Sequence, residues 1–338
     1  MATGNAYFIQ FVAGTQGLVH ASLAPTLKGF NRLYEDDSSM LFTSGTRITT
    51  SAQVPFAKNV FVVLATTSRK NLDRSVRHLT TLISQTSFPP IKGAGAGFRM
   101  MFHIDGALTS IDRHLRANLE REISARTRSQ VESRGSCLEY WVIGRRDLGE
   151  LLLCARLPKA KRPDRAKGAL SYDLSAMLVA ASQPRAGETF LDPFAGSGAL
   201  VQARLAAPAR SIIYADSALP TLRATLPREV QRDRRVRLLA DDATRLPSIG
   251  DGEVDVIVTD PPWGEFETLD VQYSVFVDNV AASFHRVLNH RTGRFVILSS
   301  RRNAESFAEA LTRAAFTIRA APGILVNGHP ATVLIGGR

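Results

Sequence analysis

The second half of the chain alternates short apolar segments with segments of helical spacing, and this alternation constrains the fold more than any other feature. The predicted strands are Thr189–Phe194, Ile212–Asp216, Val236–Leu239, Val254–Thr259, Phe295–Leu298, Thr317–Val326 and Ala331–Ile335. Helices are predicted between them, most clearly over Val271–Leu288 and Ala304–Ala315. Strands that alternate with helices favour an α/β fold with a doubly wound parallel sheet of seven strands. The Asn327-Gly328 pair between the last two strands predicts a hairpin, so one of these strands should run antiparallel.

The first half has a less regular pattern, which favours an α+β arrangement. The predicted strands are Tyr7–Val12, Leu41–Thr43, Phe61–Ala65, Phe98–His103, Leu138–Ile143 and Leu151–Cys154. Helices are predicted over Leu72–Ile83 and Ile111–Ile123, because their apolar residues recur on one face. Residues 87–97 are rich in Pro and Gly and are predicted to form a loop.

The positive charge of the chain is concentrated in the first half. The net charge is +11, and residues 1–170 carry 24 Lys and Arg against 13 Asp and Glu, whereas residues 171–338 carry 18 of each. Lys159–Lys167 contains five basic residues and a proline, which is typical of a linker. A basic half joined to a neutral half favours a polyanion-binding module attached to a second domain. A basic surface that is merely solvated remains the alternative.

Several classes of protein are disfavoured by what the sequence lacks. No apolar run is long enough to cross a bilayer, and the N-terminal MATGNAYFIQF lacks the features of a signal peptide. Cys137 and Cys154 are too few for a disulfide framework or a zinc site, and the seven histidines show no metal-binding spacing. We therefore expect a cytoplasmic protein without a metal.

A glycine-containing turn, LDPFAGSGAL at residues 191–200, follows the first predicted strand of the second half. Gly196 and Gly198 let the backbone approach a ligand where a Cβ atom would collide. The third glycine of a dinucleotide-binding fingerprint is replaced by Val201, which favours an adenosine ligand without a pyrophosphate. Asp192, Phe194 and Ala195 complete the candidate loop.

Two further acidic residues follow the next two strands. Asp216 comes 20 residues after Gly196, where an adenosine-binding sheet places a carboxylate on the ribose hydroxyls. Asp242, followed by Ala243, comes after the third strand and could accept a hydrogen bond from an adenine amino group. Each acid alone could be a helix N-cap, but their common position after consecutive strands favours a cofactor site.

The fourth strand of this half stops abruptly at Asp260-Pro261-Pro262-Trp263. Two prolines cannot continue a sheet, because neither has an N–H to donate. A carboxylate, an unpaired carbonyl and an indole are therefore presented at the end of a buried strand. Asp260 and the Pro261 carbonyl could accept both hydrogens of an amino group, and Trp263 could stack on a flipped base.

The combination of DPFAGSG and DPPW resembles the class I S-adenosylmethionine-dependent methyltransferases, and DPPW is similar to the (N/D)PP(Y/F/W) motif of enzymes that methylate base amines. In the first half, the segments from FRMMFHIDGAL to LEREI and LEYWVIGRRDLGELLLCARLP resemble a THUMP domain, and YFIQFVAGTQGL resembles the start of a ferredoxin-like unit. Together these segments resemble the THUMP-containing tRNA guanine-N2 methyltransferases. Two positions depart from the family. After the two prolines of the DPPW motif, Trp263 is less common than Tyr. In the helix that precedes the glycine-containing turn, Tyr172 or Asp173 replaces a proline of the family.

This resemblance implies four regions and a set of partners. The regions are a ferredoxin-like region at 1–60, a THUMP-like RNA-binding domain at 61–158, a basic linker at 159–170 and a Rossmann-like methyltransferase domain at 171–338. The implied cofactor is S-adenosylmethionine and the implied substrate is tRNA. The implied catalytic residues are Asp260, Pro261, Pro262 and Trp263. We expect no membrane association, and a monomer or weak oligomer.

Three other functions stay open. An adenine-N6 methyltransferase on RNA or DNA could use the same DPPW segment. An RNA-binding protein could retain a vestigial methyltransferase domain, although the intact motifs argue against decay. A nicotinamide oxidoreductase is disfavoured by Val201 and by the lack of any obvious hydride-transfer residue.

Overall fold

A computed structural model describes residues 5–90, 97–132, 138–159, 169–265 and 271–338. The chain divides into two compact units, Met1–Phe11 with Leu23–Lys161 and Val12–Ser22 with Arg162–Arg338. Cys137, residues 91–96 of the predicted loop and residues 160–168 of the predicted linker lie outside the described residues. The finer division at residue 60 stays a prediction.

The first unit is built on one mixed sheet. Its described strands are β1 (Asn5–Gln10), β2 (Asn31–Glu35), β3 (Ser39–Ser44), β4 (Asn59–Ser68), β5 (Gly97–Ile104), β6 (Ala107–Leu108), β7 (Gln130–Val131), β8 (Leu138–Gly144) and β9 (Glu150–Arg156). Their order is β2-β3-β1-β4-β9-β8-β5-β6, with β7 beside β5. The predicted pair at 138–143 and 151–154 is confirmed, since β8 and β9 are antiparallel neighbours.

Two amphipathic helices form a core with this sheet. After α1 (Gln16–Leu23), whose first seven residues belong to the second unit, come α2 (Leu72–Leu82) and α3 (Arg113–Thr127). Each begins at a side-chain cap, because Asn71 accepts from the Arg74 amide and Asp112 accepts from the Leu115 amide. The buried residues recur at helical spacing and pack with the sheet residues in one cluster: Val76 and Leu79 on α2, and Leu115, Leu119 and Ile123 on α3. Both predicted helices are therefore confirmed.

The second unit contains the alternating elements that the sequence predicts. Its strands are β10 (Thr189–Asp192), β11 (Ser211–Ala215), β12 (Val236–Leu239), β13 (Val256–Thr259), β14 (Arg294–Ser300), β15 (Thr317–Ala320), β16 (Gly323–Val326) and β17 (His329–Gly337). Its further helices are α4 (Tyr172–Ala181), α5 (Ala199–Leu205), α6 (Leu219–Leu222), α7 (Arg228–Arg232), α8 (Tyr273–Val287) and α9 (Ala304–Arg313). The sheet order is β12-β11-β10-β13-β14-β17-β15, with β16 beside β17.

The strands β10 to β14 are parallel, so their carboxyl ends meet at one edge of the sheet. The chain runs outward from β10 to β11 and β12, and then returns to β13 on the other side of β10. This reversal is a topological switch point, where open α/β sheets bind their ligands. Predicted site residues follow β10, β11, β12 and β13, and all of them therefore lie at this edge.

The predicted seven-stranded sheet is wrong in one detail, because the sheet has eight described strands. The predicted strand Thr317–Val326 is divided into β15 and β16 at Ala321-Pro322, since proline cannot donate a ladder hydrogen bond. Both pieces pair with the long strand β17, which is antiparallel to β14 as well. The predicted hairpin is confirmed: Asn327 and Gly328 have φ values of 52° and 89°, as a type I′ turn requires.

Candidate active site

A cavity of about 1000 Å³ opens at the carboxyl edge of the parallel strands in the second unit. The lining includes predicted residues from four strand ends: Phe194, Asp216, Asp242, Ala243, Asp260, Pro261, Pro262 and Trp263. The switch point therefore brings together residues that are up to 69 positions apart in sequence. Asp192, Ala195, Gly196 and Gly198 are not among the described lining residues, and they shape the loop behind the wall.

Asp192 is buried and supports the glycine-containing turn at residues 191–200, which is called the glycine loop below. It is 1% exposed, and its Oδ1 accepts hydrogen bonds from the Thr259 hydroxyl at 2.8 Å and from the Phe194 amide at 3.3 Å. Burial raises the pKa of Asp192 to about 8, partly opposed by the hydrogen bond from Thr259. Asp192 therefore joins the ends of β10 and β13, and its burial favours the protonated form.

The glycine loop is fastened to the end of β11 by two hydrogen bonds. The Gly196 amide donates to Asp216 Oδ2 at 2.8 Å, and the Tyr214 hydroxyl donates to the Gly196 carbonyl at 2.6 Å. Gly196 and Gly198 have φ values of 46° and 78°, in the region that favours glycine. Asp216 thus has two roles, because it holds the loop and also lines the cavity.

The two adjacent acids after β12 have different surroundings. Asp242 is exposed in the cavity wall, and its Oδ1 accepts hydrogen bonds from the Thr244 amide and hydroxyl, both at 2.8 Å. Asp241 is buried and accepts from the Ser248 amide and hydroxyl, so it supports the loop from inside. The sequence-based choice of Asp242 thus coincides with the residue that faces the cavity.

The Asp260–Trp263 segment has an arrangement that the sequence did not predict. Trp263 is 9% exposed, and its Nε1 donates a hydrogen bond to Asp260 Oδ1 at 2.9 Å. The Asn303 side-chain amide in turn donates to the Trp263 carbonyl at 2.7 Å. Trp263 also lines the cavity, and its stacking on a base stays a prediction. The observed contact makes Trp263 an orienting partner of Asp260.

Other residues of the site come from elements that lie far away in sequence. Asn303 follows β14, and its only sequence signal is its position after a parallel strand. The hairpin of β16 and β17 contributes Val326, Asn327 and His329 to the wall, and α8 contributes Phe276 and Asn279. The hairpin was predicted, but nothing in its sequence indicated that its tip borders the cavity.

Comparisons with known proteins assign a class to the second unit. Residues 159–215 and 224–325 match the family model described as "UPF0020: RMKL-like, methyltransferase domain". A comparison with curated proteins finds no match. The second unit is a methyltransferase domain, and its cofactor is S-adenosylmethionine.

Solved structures share the fold of the whole chain at low sequence identity. TrmN from Thermus thermophilus is 19% identical with a TM-score of 0.68, and the alignment covers 99% of each chain. SMU.472, solved as a complex with SAH, is 12% identical with a TM-score of 0.59 and covers 99% of this chain and 98% of its own. A predicted N6-adenine-specific DNA methylase from Listeria monocytogenes is 14% identical with a TM-score of 0.60 and covers 98% and 96%. These likenesses extend to both units.

The residues of the cavity fit S-adenosylmethionine. Its wall carries the carboxylates of Asp216, Asp242 and Asp260, which suit a cationic sulfonium and the hydroxyl and amino groups of adenosine. Asp216 lies beside the glycine loop, where the ribose would bind. Ligand cavities measure about 300–1,000 Å³, so a cavity of this size has room for a cofactor and a base together.

The described part of the chain bears on two expectations from the sequence, which are that the protein does not associate with a membrane and binds no metal. No helix there is long and apolar enough to span a membrane. The same residues contain no group of three or more His, Cys, Asp or Glu side chains that could hold a metal ion.

Proposed function

We propose that the chain transfers a methyl group from S-adenosylmethionine to the exocyclic N2 amine of a guanosine in tRNA. The observation that carries this proposal is the oriented carboxylate of Asp260, held by Trp263 at the end of β13. It lies in the same cavity as Asp216, the candidate ribose ligand. A hydrogen-bond acceptor for the nucleophile and a cofactor ligand are thereby brought into one enclosure.

The chemistry of a base amine explains why a carboxylate is needed there. The nitrogen lone pair is delocalised into the ring, so the free amine is a poor nucleophile. Asp260 accepts one N–H hydrogen bond, and the Pro261 carbonyl, which lies beyond the end of β13, accepts the other. This geometry favours a pyramidal nitrogen whose lone pair is directed at the methyl group.

The carboxylate of Asp260 balances the positive charge that develops on the amine during the transfer. When bound, S-adenosylmethionine supplies an electrophilic methyl group on a cationic sulfur. A nitrogen–carbon bond forms as the sulfur–carbon bond breaks, and the positive charge moves to the amine. Asp260 stabilises this charge and accepts the departing proton directly or through water.

The first unit supports tRNA as the substrate. Its helices α2 and α3 present exposed arginines that have no ion pair among the described residues: Arg74, Arg77, Arg113 and Arg126. Exposed guanidinium groups of this kind bind the phosphate backbone of structured RNA by charge and shape. The resemblance to THUMP domains in this half is consistent with the same partner.

The decisive experiment is incubation of the full chain with labelled S-adenosylmethionine and unmodified tRNA, followed by nucleoside mass spectrometry. N2-methylguanosine supports the proposal, and Asp260→Ala should abolish the product while tRNA affinity stays near normal. N6-methyladenosine, in tRNA or in a DNA substrate tested in parallel, would overturn the guanine assignment. Tight tRNA binding without any transfer would instead favour an RNA-binding protein with a vestigial domain.

A further inference from the structure

The wall of the cavity is acidic, which affects how a nucleic acid can approach it. Asp216, Asp242 and Asp260 line the wall, while Arg245 is the one arginine among its described residues. These carboxylates suit a cationic cofactor and a neutral base, but they repel phosphates. A target nucleotide must therefore enter with its flanking phosphates held outside, on basic groups close to the cavity.

Arg301 and Arg302 lie at a suitable place. They follow β14 directly, at the same sheet edge as the cavity. The Arg301 amide donates to the Pro330 carbonyl at 3.1 Å, next to the lining residue His329. Asn303, the residue after Arg302, donates a hydrogen bond from its side-chain amide to the carbonyl of the lining residue Trp263. The segment that carries the two arginines is thus held between the DPPW segment and the β16–β17 hairpin.

The position of one guanidinium depends on a glycine. A Cβ atom at Gly323, the first residue of β16, would lie 2.5 Å from Arg301 Nη2. The Arg301 side chain therefore lies directly against the Gly323 backbone. A larger residue at 323 would displace this guanidinium, which is the far end of a flexible side chain.

The charges of Arg301 and Arg302 are not neutralised by an ion pair with any described residue. Many arginines of the second unit pair with carboxylates: Arg185, Arg204, Arg210, Arg235, Arg237, Arg286, Arg294 and Arg313. Arg301 and Arg302 are exposed and form no ion pair with any described residue. A guanidinium offers paired donors that match phosphate oxygens, so an unpaired one suits an external phosphate.

We propose that Arg301 and Arg302, together with Arg245 in the cavity wall, bind the phosphates that flank the flipped target nucleotide. This inference rests on the proposed function, since it names the part of the chain that holds the RNA backbone at the reaction centre. The base enters the acidic cavity, and the backbone stays on the basic edge.

The test compares R301Q/R302Q with R291Q in the full chain. Arg291 is also exposed and without an ion pair among the described residues, but it precedes β14 and lies at the opposite edge of the sheet. Methyl transfer to unmodified tRNA is measured at several salt concentrations, with the affinity for SAH measured in parallel. Two lost phosphate contacts should reduce the slope of log affinity against log salt by about 1.4. The KM for tRNA should rise about fivefold to tenfold at moderate salt, while the SAH affinity stays unchanged.

The outcomes separate this inference from the proposed function. If the wild type transfers methyl groups and R301Q/R302Q keeps the wild-type KM and salt slope, the phosphate contact is refuted and the proposed function stands. R291Q removes one charge and the double variant removes two, so if R291Q has half the effect of the double variant or more, the effect is one of net charge, and the inference is again refuted. If the wild type transfers nothing to tRNA, both proposals fall. Gly323→Ala, which displaces Arg301 without removing its charge, should raise the KM for tRNA in the same direction.

Discussion

The indole Nε1 of Trp263 donates a hydrogen bond to Oδ1 of Asp260 at 2.9 Å. This bond fixes the plane of the carboxylate relative to the indole. The two prolines between these residues restrict the backbone, so the indole and the carboxylate are held in a fixed relation. The aromatic residue after the prolines therefore contributes to the orientation of the acceptor.

The first prediction concerns the N–H of this indole. Trp263→Phe keeps most of the apolar volume and removes the donor, so Asp260 loses its orientation. We expect kcat for methyl transfer to fall by about tenfold to a hundredfold, because small misplacements of a reacting group are costly. The free energy of unfolding should fall by about 1 kcal/mol for the lost hydrogen bond, with a further loss for the smaller ring.

The chain contains a matched control for this substitution. Trp141 is 8% exposed in the first unit, and its Nε1 donates to Glu139 Oε2 at 2.8 Å. Trp141→Phe removes the same kind of buried bond outside the cavity, so it should lower stability to a similar extent and leave kcat unchanged. Equal kcat losses in both variants would show that Trp263 acts only through stability.

The second prediction concerns Asn303, which acts on Asp260 through Trp263. Asn303→Asp preserves the size of the side chain but removes the donor to the Trp263 carbonyl. We expect a fall in kcat with little change in the affinity for S-adenosylmethionine, measured by steady-state kinetics and by titration. The double variant with Trp263→Phe should lose less than the sum of the two single effects, since both act on one chain of hydrogen bonds. If the two losses in kcat are strictly additive as free energies, Asn303 and Trp263 act independently of each other.

The third prediction concerns Asp216 and the cofactor. Asp216→Ala removes the acceptor of the Gly196 amide and also the candidate ribose ligand. The dissociation constant for S-adenosylmethionine should rise by about 10- to 100-fold, because hydrogen bonds to charged groups contribute about 1.5–3 kcal/mol. Asp233→Ala is the control, because Asp233 pairs with Arg235 before β12 and does not line the cavity. A cofactor affinity that is the same in both variants would contradict the role of Asp216.

Much of the site could be predicted because parallel strands convert sequence order into a common edge. Asp216, Asp242 and Asp260 each follow an apolar strand, so the prediction needed only the sheet and its direction. The contribution of Asn303 could not be predicted, because it depends on a hydrogen bond to the carbonyl of Trp263, which lies in another loop. The hydrogen bond from Trp263 to Asp260 could not be predicted, because the sequence shows an aromatic residue but neither its burial nor its partner.

The division of the last predicted strand has a similar explanation. Apolar content alone favoured one strand over Thr317–Val326, and Pro322 was the local signal against it. The two pieces both pair with β17, and only the tertiary pairing shows that they are separate strands. The hairpin tip then reaches the cavity, which no local pattern encodes.

The last prediction concerns the pH dependence of stability. Burial raises the pKa of Asp192 from its ordinary value near 3.8 to about 8, so the folded protein keeps a proton that the unfolded chain releases above about pH 4. Between about pH 4 and pH 8 this group lowers the free energy of unfolding by about 1.4 kcal/mol per pH unit. Asp192→Asn has no proton to release, and its oxygen can still accept from Thr259. Relative to the wild type, this variant should gain stability as the pH rises from 5 to 8, as measured by denaturant titration at each pH. A difference between the two proteins that stays constant over this range would show that Asp192 is ionised in the folded state.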